Sequence, residues 1–167
     1  LALWHTASAG LELWLTAIAY GAAQVWVLMT GEEAPDYVVA VQAQMDVAQA
    51  ILSGLGYQGT HLRLLHARDA RDPAAQLQAA AAHTVGHAAG FAVQADKRAT
   101  LELALDHLVA QATSRSHAID LPTGAPLGAL ALDKDACTLC LSCVSACPSA
   151  ALQDNPASPQ LKFIEKN

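Results

Sequence analysis

The sequence is poor in charged and aromatic residues. Charged residues make up 14% of its 167 residues and aromatic residues 5%, while 53% are hydrophobic. This composition excludes a disordered chain, which would need low hydrophobicity and high net charge. Nine Lys and Arg residues are outnumbered by fifteen Asp and Glu, giving a net charge of −6, and they form no basic stripe. We therefore predict no nucleic-acid partner, because such a partner needs basic groups to neutralise its phosphates.

Cysteine is absent from most of the chain. All four cysteines lie between Cys137 and Cys147, whereas a disulfide framework would spread them to close long loops. Such gathering is typical of a metal or cluster site instead. The sequence also lacks a basic N-terminal region followed by a small-residue cleavage site, so we expect a cytoplasmic protein.

A long uninterrupted apolar helix is missing as well. The nineteen residues between Glu12 and Glu32 are uncharged, which is close to the minimum length for a membrane span. However, Gly21 and Gln24 interrupt the run, and no Lys or Arg flanks it. A buried helix, a turn at Gly21 and a buried strand explain the run better, so no membrane span is predicted.

Hydrophobic periodicity predicts an α/β fold for the first part of the chain. Apolar runs typical of strands alternate with amphipathic segments typical of helices. This order indicates a small doubly wound (flavodoxin-like) parallel sheet. The predicted elements are strand Leu1–His5, a helix from about Gly10 to Tyr20, strand Gln24–Met29, a long helix from Pro35 closed by Gly54 and Gly56, and strand His61–His66.

The middle of the chain is rich in Ala, Gly and Pro. We predict a helix over Ala74–Ala82, a linker over 84–95 and an amphipathic helix over Thr100–Gln111, followed by an extended loop over Ser114–Gly128. His83 and His87 are four residues apart, but no carboxylate lies near them. They are therefore interpreted as solvated residues and not as metal ligands.

The four cysteines form one motif with a defined spacing. The run Cys137-Thr-Leu-Cys140-Leu-Ser-Cys143-Val-Ser-Ala-Cys147-Pro148 reads C-x₂-C-x₂-C-x₃-C-P, which is the bacterial ferredoxin pattern for a [4Fe–4S] cluster. Closely spaced thiolates on a tight loop can each reach a different iron of a cubane. Structural zinc is the alternative, but zinc sites usually pair two C-x₂₋₄-C units across a longer gap.

Residues 129–167 therefore resemble the bicluster bacterial ferredoxin family, with Leu130–Asp133 and Pro159–Ile164 similar to two of its strands. In that family the fourth cysteine of the run ligates the other cluster. The resemblance implies this role for Cys147 and a second cysteine motif that the 167 residues do not contain. We therefore expect the sequence to be part of a longer polypeptide and the cluster to be incompletely held here.

The N-terminal part resembles the delta subunit of methyl-viologen-reducing hydrogenases. The matching stretches include Gly10-Leu-Glu-Leu, Ala19-Tyr-Gly21-Ala, Val25-Trp-Val-Leu28 and Leu62-Arg63-Leu64. That family holds a [2Fe–2S] cluster with cysteines after its first two strands, where this sequence has His5-Thr-Ala-Ser8 and Thr30-Gly-Glu-Glu33. The resemblance therefore implies a docking scaffold that lacks this cluster.

Together these observations predict three parts: a hydrogenase-delta-like α/β domain over 1–83, a linker and helix over 84–128, and a partial 4Fe–4S ferredoxin-type module over 129–167. Cys137, Cys140, Cys143 and Cys147 are the predicted ligands of a 4Fe–4S cluster, and no catalytic residue is predicted. We expect an electron-transfer module of an oxidoreductase, working with a redox partner protein or with neighbouring domains. The alternative is a scaffold or redox-sensing domain whose cluster is structural.

Overall fold

The computed structural model describes residues 5–67, 82–114 and 118–164. The chain forms two compact units, Leu1–Gly128 and Ala129–Asn167. The first contains a 3₁₀ turn at Thr6–Ser8, helix α1 (Leu11–Ala19), strand β1 (Val25–Met29), helix α2 (Pro35–Gly54), strand β2 (Leu62–His66) and helix α3 (Lys97–Ala110). The second contains helix α4 (Ser142–Ala146) and strands β3 (Leu152–Asp154) and β4 (Leu161–Phe163).

A parallel strand pair forms the centre of the first unit. β1 and β2 pair in register from Val25 opposite Leu62 to Met29 opposite His66, and α2 connects them. This β–α–β arrangement confirms the predicted α/β class. The predicted first strand, Leu1–His5, lies outside the described residues except for His5, whose ring Nδ1 accepts a hydrogen bond from the Ala7 N–H at 3.2 Å.

Glycines end α1 and α2 as the sequence predicts. Gly56 follows α2 with φ +90°, a conformation that favours glycine. Its N–H donates to the Ser53 carbonyl and the Tyr57 N–H donates to the Leu52 carbonyl, both at 3.0 Å. These two bonds form the Schellman motif that satisfies the last carbonyls of a helix. Gly21 ends α1 in the same way, with φ +101°.

The core of the first unit lies between the strand pair and helices α1 and α2, and α3 packs against α1. Trp14, Leu15 and Ile18 of α1 are at most 1% exposed, which agrees with the apolar face predicted for this helix. Stretch 84–128 contributes to the same core: Val85, Ala104 and Leu108 are buried in it, and Ile119, Leu121, Ala125 and Leu127 pack against it. The division into 1–83, 84–128 and 129–167 stays a prediction.

Two helices were predicted in the middle region, and the structure describes one of them. α3 spans Lys97–Ala110, compared with the predicted Thr100–Gln111. Its earlier start follows from Asp96, whose carboxylate accepts a hydrogen bond from the Arg98 N–H at 2.9 Å and so caps the helix. The helix predicted over Ala74–Ala82 lies outside the described residues except for Ala82.

Among the helices that the structure describes, none is long and apolar enough to cross a membrane.

A partly buried polar cluster joins α2 to the start of β2. His61 is fully buried, and its backbone N–H donates to Gln49 Oε1 at 2.7 Å. The Gln49 side-chain amide donates in turn to the Gly59 carbonyl at 3.1 Å. The His61 ring Nε2 lies 3.0 Å from the His83 carbonyl oxygen. Gln49 therefore satisfies the backbone N–H of the buried His61, which would otherwise lack a partner.

The hydrogen bond between Gln49 and His61 leads to a stability prediction. Gln49→Ala should lower the free energy of unfolding of the first unit by about 1–3 kcal/mol, because it leaves the His61 N–H without its acceptor. Gln42 is the matched control on the same helix: it is exposed and bonds only Asp46 among the described residues. Gln42→Ala should therefore change the free energy by no more than about 0.5 kcal/mol. Urea unfolding of the two variants measures the difference, and equal effects would contradict this account.

Candidate functional site

The four cysteines lie in the second unit and are all free thiols. Cys137 and Cys140 lie on the loop before α4, Cys143 is inside α4, and Cys147 caps its C-terminal end. Cys140 and Cys143 are exposed, whereas Cys137 and Cys147 are half-buried. The run thus occupies one loop and one short helix at the surface of this unit.

A turn built on Asp133 leads the chain into the loop. The Asp133 carboxylate accepts hydrogen bonds from the N–H groups of Asp135 and Ala136 at 3.0 and 3.1 Å. The Asp133 carbonyl accepts another from the Cys137 N–H at 3.0 Å. An Asp side chain that bonds the backbone two or three residues later is typical of such turns. Asp133 thereby fixes the position of the first cysteine.

The loop backbone takes an uncommon conformation around Cys140. Leu139 and Leu141 have φ values of +55° and +59°, in the left-handed region that costs a residue with a Cβ about 1–2 kcal/mol. No hydrogen bond joins the N–H groups of residues 138–141 to other described residues. Left-handed residues that alternate with ordinary ones turn successive N–H groups toward the same side, where they can bind an anion. This geometry fits a negatively charged cluster, and such outliers are concentrated at functional sites.

Polar groups surround the Cys140 sulfur. Ser142 Oγ lies 3.5 Å from Cys140 Sγ. Hydrogen bonding with the Ser142 side chain, and next with the Ser142 backbone N–H, lowers the pKa of the Cys140 thiol below its usual value. Since the thiolate is the form that binds a metal, the surroundings of Cys140 favour the ligating state.

Cys147 has a separate set of partners. Ser149 Oγ lies 3.6 Å from Cys147 Sγ. Hydrogen bonding from the Ser149 side chain, followed by the Leu152 backbone N–H, lowers the pKa of the Cys147 thiol to about 7. Its environment therefore comes from residues after the motif, whereas that of Cys140 comes from within the motif.

A small hairpin follows Cys147 and fixes these partners. β3 and β4 pair antiparallel, with Leu152 opposite Phe163 and Asp154 opposite Leu161. The Ile164 N–H donates to the Ala151 carbonyl at 2.8 Å, and Ala151 is buried. The hairpin thus places Ala151 and Leu152 beside the Cys147 sulfur. β4 lies within the predicted strand Pro159–Ile164, whereas β3 and α4 were not predicted.

One predicted element of this unit is wrong. Leu130–Asp133 was expected to form a strand, but it has no strand assignment. A strand requires backbone pairing with a neighbour, and this segment forms no ladder with another described residue. Leu130 and Leu132 are 54% and 48% exposed, so their side chains are not part of a packed sheet face.

Within the described ranges, no group of three or more His, Cys, Asp or Glu side chains is arranged to hold a single metal ion. A [4Fe–4S] cluster makes a different demand, because each thiolate binds its own iron. His83 and His87 are exposed, as predicted for solvated residues, but they lie in an irregular segment and not in a helix. His5 is half-buried, whereas His66 is exposed.

The comparisons with known proteins agree with the cysteine motif. Residues 130–153 match the model of the 4Fe-4S binding domain family, and this segment includes all four cysteines. The match supports a ferredoxin-type module with an iron–sulfur, metal-binding character. No curated protein and no solved structure has significant similarity to the chain.

Proposed function

We propose that this chain transfers single electrons through a [4Fe–4S] cluster bound by its cysteine module. The observation that carries the proposal is the C-x₂-C-x₂-C-x₃-C-P run inside the segment that matches the 4Fe-4S binding domain. The left-handed leucines on both sides of Cys140 support it. When bound, the cluster supplies the redox chemistry by gaining and losing one electron. The polypeptide supplies thiolates and the hydrogen-bond donors beside them.

The cysteines divide into two groups in this proposal. Cys137, Cys140 and Cys143 bind three irons of one cluster, since they lie within seven residues on a loop whose backbone can turn N–H groups toward an anion. Cys147 is an iron ligand of a different cluster, as the resemblance to bicluster ferredoxins implies. Its separate partners, Ser149 and Leu152, support this assignment.

The cellular role follows from the same reasoning. We propose that the chain is an electron-transfer module of a larger cytoplasmic oxidoreductase and that the chemical reaction occurs elsewhere. Its partners would be a redox protein or neighbouring domains of a longer chain. The first unit, with its β–α–β arrangement and its resemblance to the hydrogenase delta subunit, would serve as the docking scaffold. No cysteine in its sequence offers a second cluster site.

A second candidate is a redox-sensing domain. The exposure of Cys140 and Cys143 favours it, because an oxidant would reach a cluster at the surface easily. The two functions differ in reversibility: a relay is reduced and reoxidised repeatedly with its iron content unchanged, whereas a sensor loses iron or changes cluster type after oxidation. Repeated anaerobic reduction and reoxidation, followed by iron analysis, separates them.

The proposed function is tested by cluster assembly. The chain is treated without oxygen with ferrous iron, sulfide and a small thiol that can complete the fourth iron. We expect about four irons and four sulfides per chain, with broad visible absorption. Without the small thiol, we expect the cluster to be held poorly. A colourless, iron-free product under both conditions would overturn the proposal.

A further inference from the structure

Ser142 is the first residue of α4 and lies two positions after Cys140. Its Oγ is 3.5 Å from Cys140 Sγ, and this is the only hydrogen bond that the Ser142 hydroxyl forms with the residues that the structure describes. Ser145, three residues further along the same helix, is different: its hydroxyl donates to the Ser142 carbonyl at 3.1 Å and forms no hydrogen bond with a described cysteine. The Ser142 hydroxyl is therefore used for the sulfur and not for the helix backbone.

Loss of the thiol proton determines the direction of this hydrogen bond. A free Cys140 thiol can donate its proton to Ser142 Oγ. A cysteine bound to iron is a thiolate with no proton, so only the hydroxyl can then donate. The Ser142 hydroxyl would thus give a charge-assisted hydrogen bond to a ligand sulfur.

Such a bond does not stabilise the two oxidation states equally. Reduction brings one electron from an external one-electron donor, which is itself oxidised, and makes the cluster and its sulfurs more negative. Hydrogen bonds strengthen as the acceptor becomes more negative, and hydrogen bonds to the sulfurs are among the factors that set cluster potentials. No bond between chain and cluster breaks, and Ser142 keeps its proton.

We propose that Ser142 is a positioning residue that raises the reduction potential of the cluster held by Cys137, Cys140 and Cys143. This inference rests on the proposed function. Ser149 makes the equivalent contact to Cys147, but that sulfur belongs to a different cluster in the proposal. Ser149 should therefore not influence the potential of the first cluster.

The test is the midpoint potential of the reconstituted chain, measured by titration with dithionite, for three alanine variants. Ser142→Ala should make reduction about three- to tenfold less favourable, and a tenfold change equals a shift of 59 mV to lower potential for one electron. Ser145→Ala, on the same helix, and Ser149→Ala should leave the potential unchanged. Ser142→Thr keeps the hydroxyl and should retain the original potential, while the similarly shaped Ser142→Val should show the shift. This second pair decides the question if Ser142→Ala fails to hold the cluster.

Failure of the inference and failure of the proposed function give different results. If the unaltered chain and the variants contain equal iron and have the same midpoint potential, the role of Ser142 is refuted. The proposal that the chain binds a cluster is then unaffected. If Ser149→Ala shifts the potential as much as Ser142→Ala, the selective role of Ser142 is refuted. If the unaltered chain binds no iron, the proposed function itself has failed.

Discussion

Replacing Cys137, Cys140 or Cys143 by Ser is expected to lower the iron bound after reconstitution by about tenfold or more, since the proposal assigns each of these thiolates to a different iron of the cluster. Cys147→Ser should keep most of the iron, because its sulfur is assigned to a different cluster. This is the largest effect that we predict. The measurement is iron and sulfide per chain, together with visible absorption, for all four single variants.

The four variants are matched because each removes one sulfur and adds no bulk. Unfolding of the first unit, which contains no cysteine, controls for general loss of structure and should be unchanged. Equal iron loss in all four variants would contradict the assignment of the cysteines to two clusters and show that Cys147 binds the same cluster as the other three. Equal retention in all four would contradict the ligand assignment altogether.

Gly56→Ala is expected to destabilise the first unit strongly. Gly56 has φ +90°, which costs an alanine about 1–2 kcal/mol. A Cβ at this position would also meet Thr113 Oγ1 and would lie 2.9 Å from the backbone N of Ser114. The threonine side chain can rotate, but the Ser114 N–H is held by its bond to the Leu55 carbonyl at 3.1 Å. The overlap should therefore cost a further 1–3 kcal/mol or so.

Gly31→Ala separates the two causes. Gly31 has nearly the same φ, +89°, but a Cβ there would meet no atom within 4 Å. We expect only the conformational cost of about 1–2 kcal/mol. Urea unfolding of both variants gives the difference. If Gly31→Ala is as destabilising as Gly56→Ala, contact with the segment around Ser114 has no energetic importance.

The elements of the first unit that were predictable have strong local signals. Gly21 and Gly56 end helices because their positive φ values suit glycine, and Pro35 occupies the first turn of α2, where its missing N–H costs nothing. Short apolar runs, which alternate along the chain with amphipathic helical segments, predicted β1 and β2. These features depend on residues close in sequence, so the sequence alone is informative about them.

The second unit was harder to predict for physical reasons. α4 has five residues and β3 has three, which is too short for a hydrophobic period to be recognised. The left-handed conformations of Leu139 and Leu141 carry no sequence signal, because leucine rarely adopts them. Leu130–Asp133 has the composition of a strand, but a strand needs a partner, which composition does not provide.

The candidate site was predictable in its chemistry but not in its details. Cysteine spacing alone predicted a cluster site at Cys137 to Cys147, and the match of residues 130–153 to the 4Fe-4S binding domain family supports it. The contact between Ser142 and Cys140 could not be foreseen, because it depends on the turn at Leu141. A serine two residues after a cluster cysteine is nevertheless a pattern worth examining in other ferredoxin-type sequences.

The most direct test of the account is a reductive titration of the reconstituted chain followed by electron paramagnetic resonance at low temperature. An electron carrier should take up one electron per four irons or so, develop the signal of a reduced cluster, and lose that signal on reoxidation with its iron retained. A product that contains zinc in place of iron, or one that takes up no electron, would contradict the central claim.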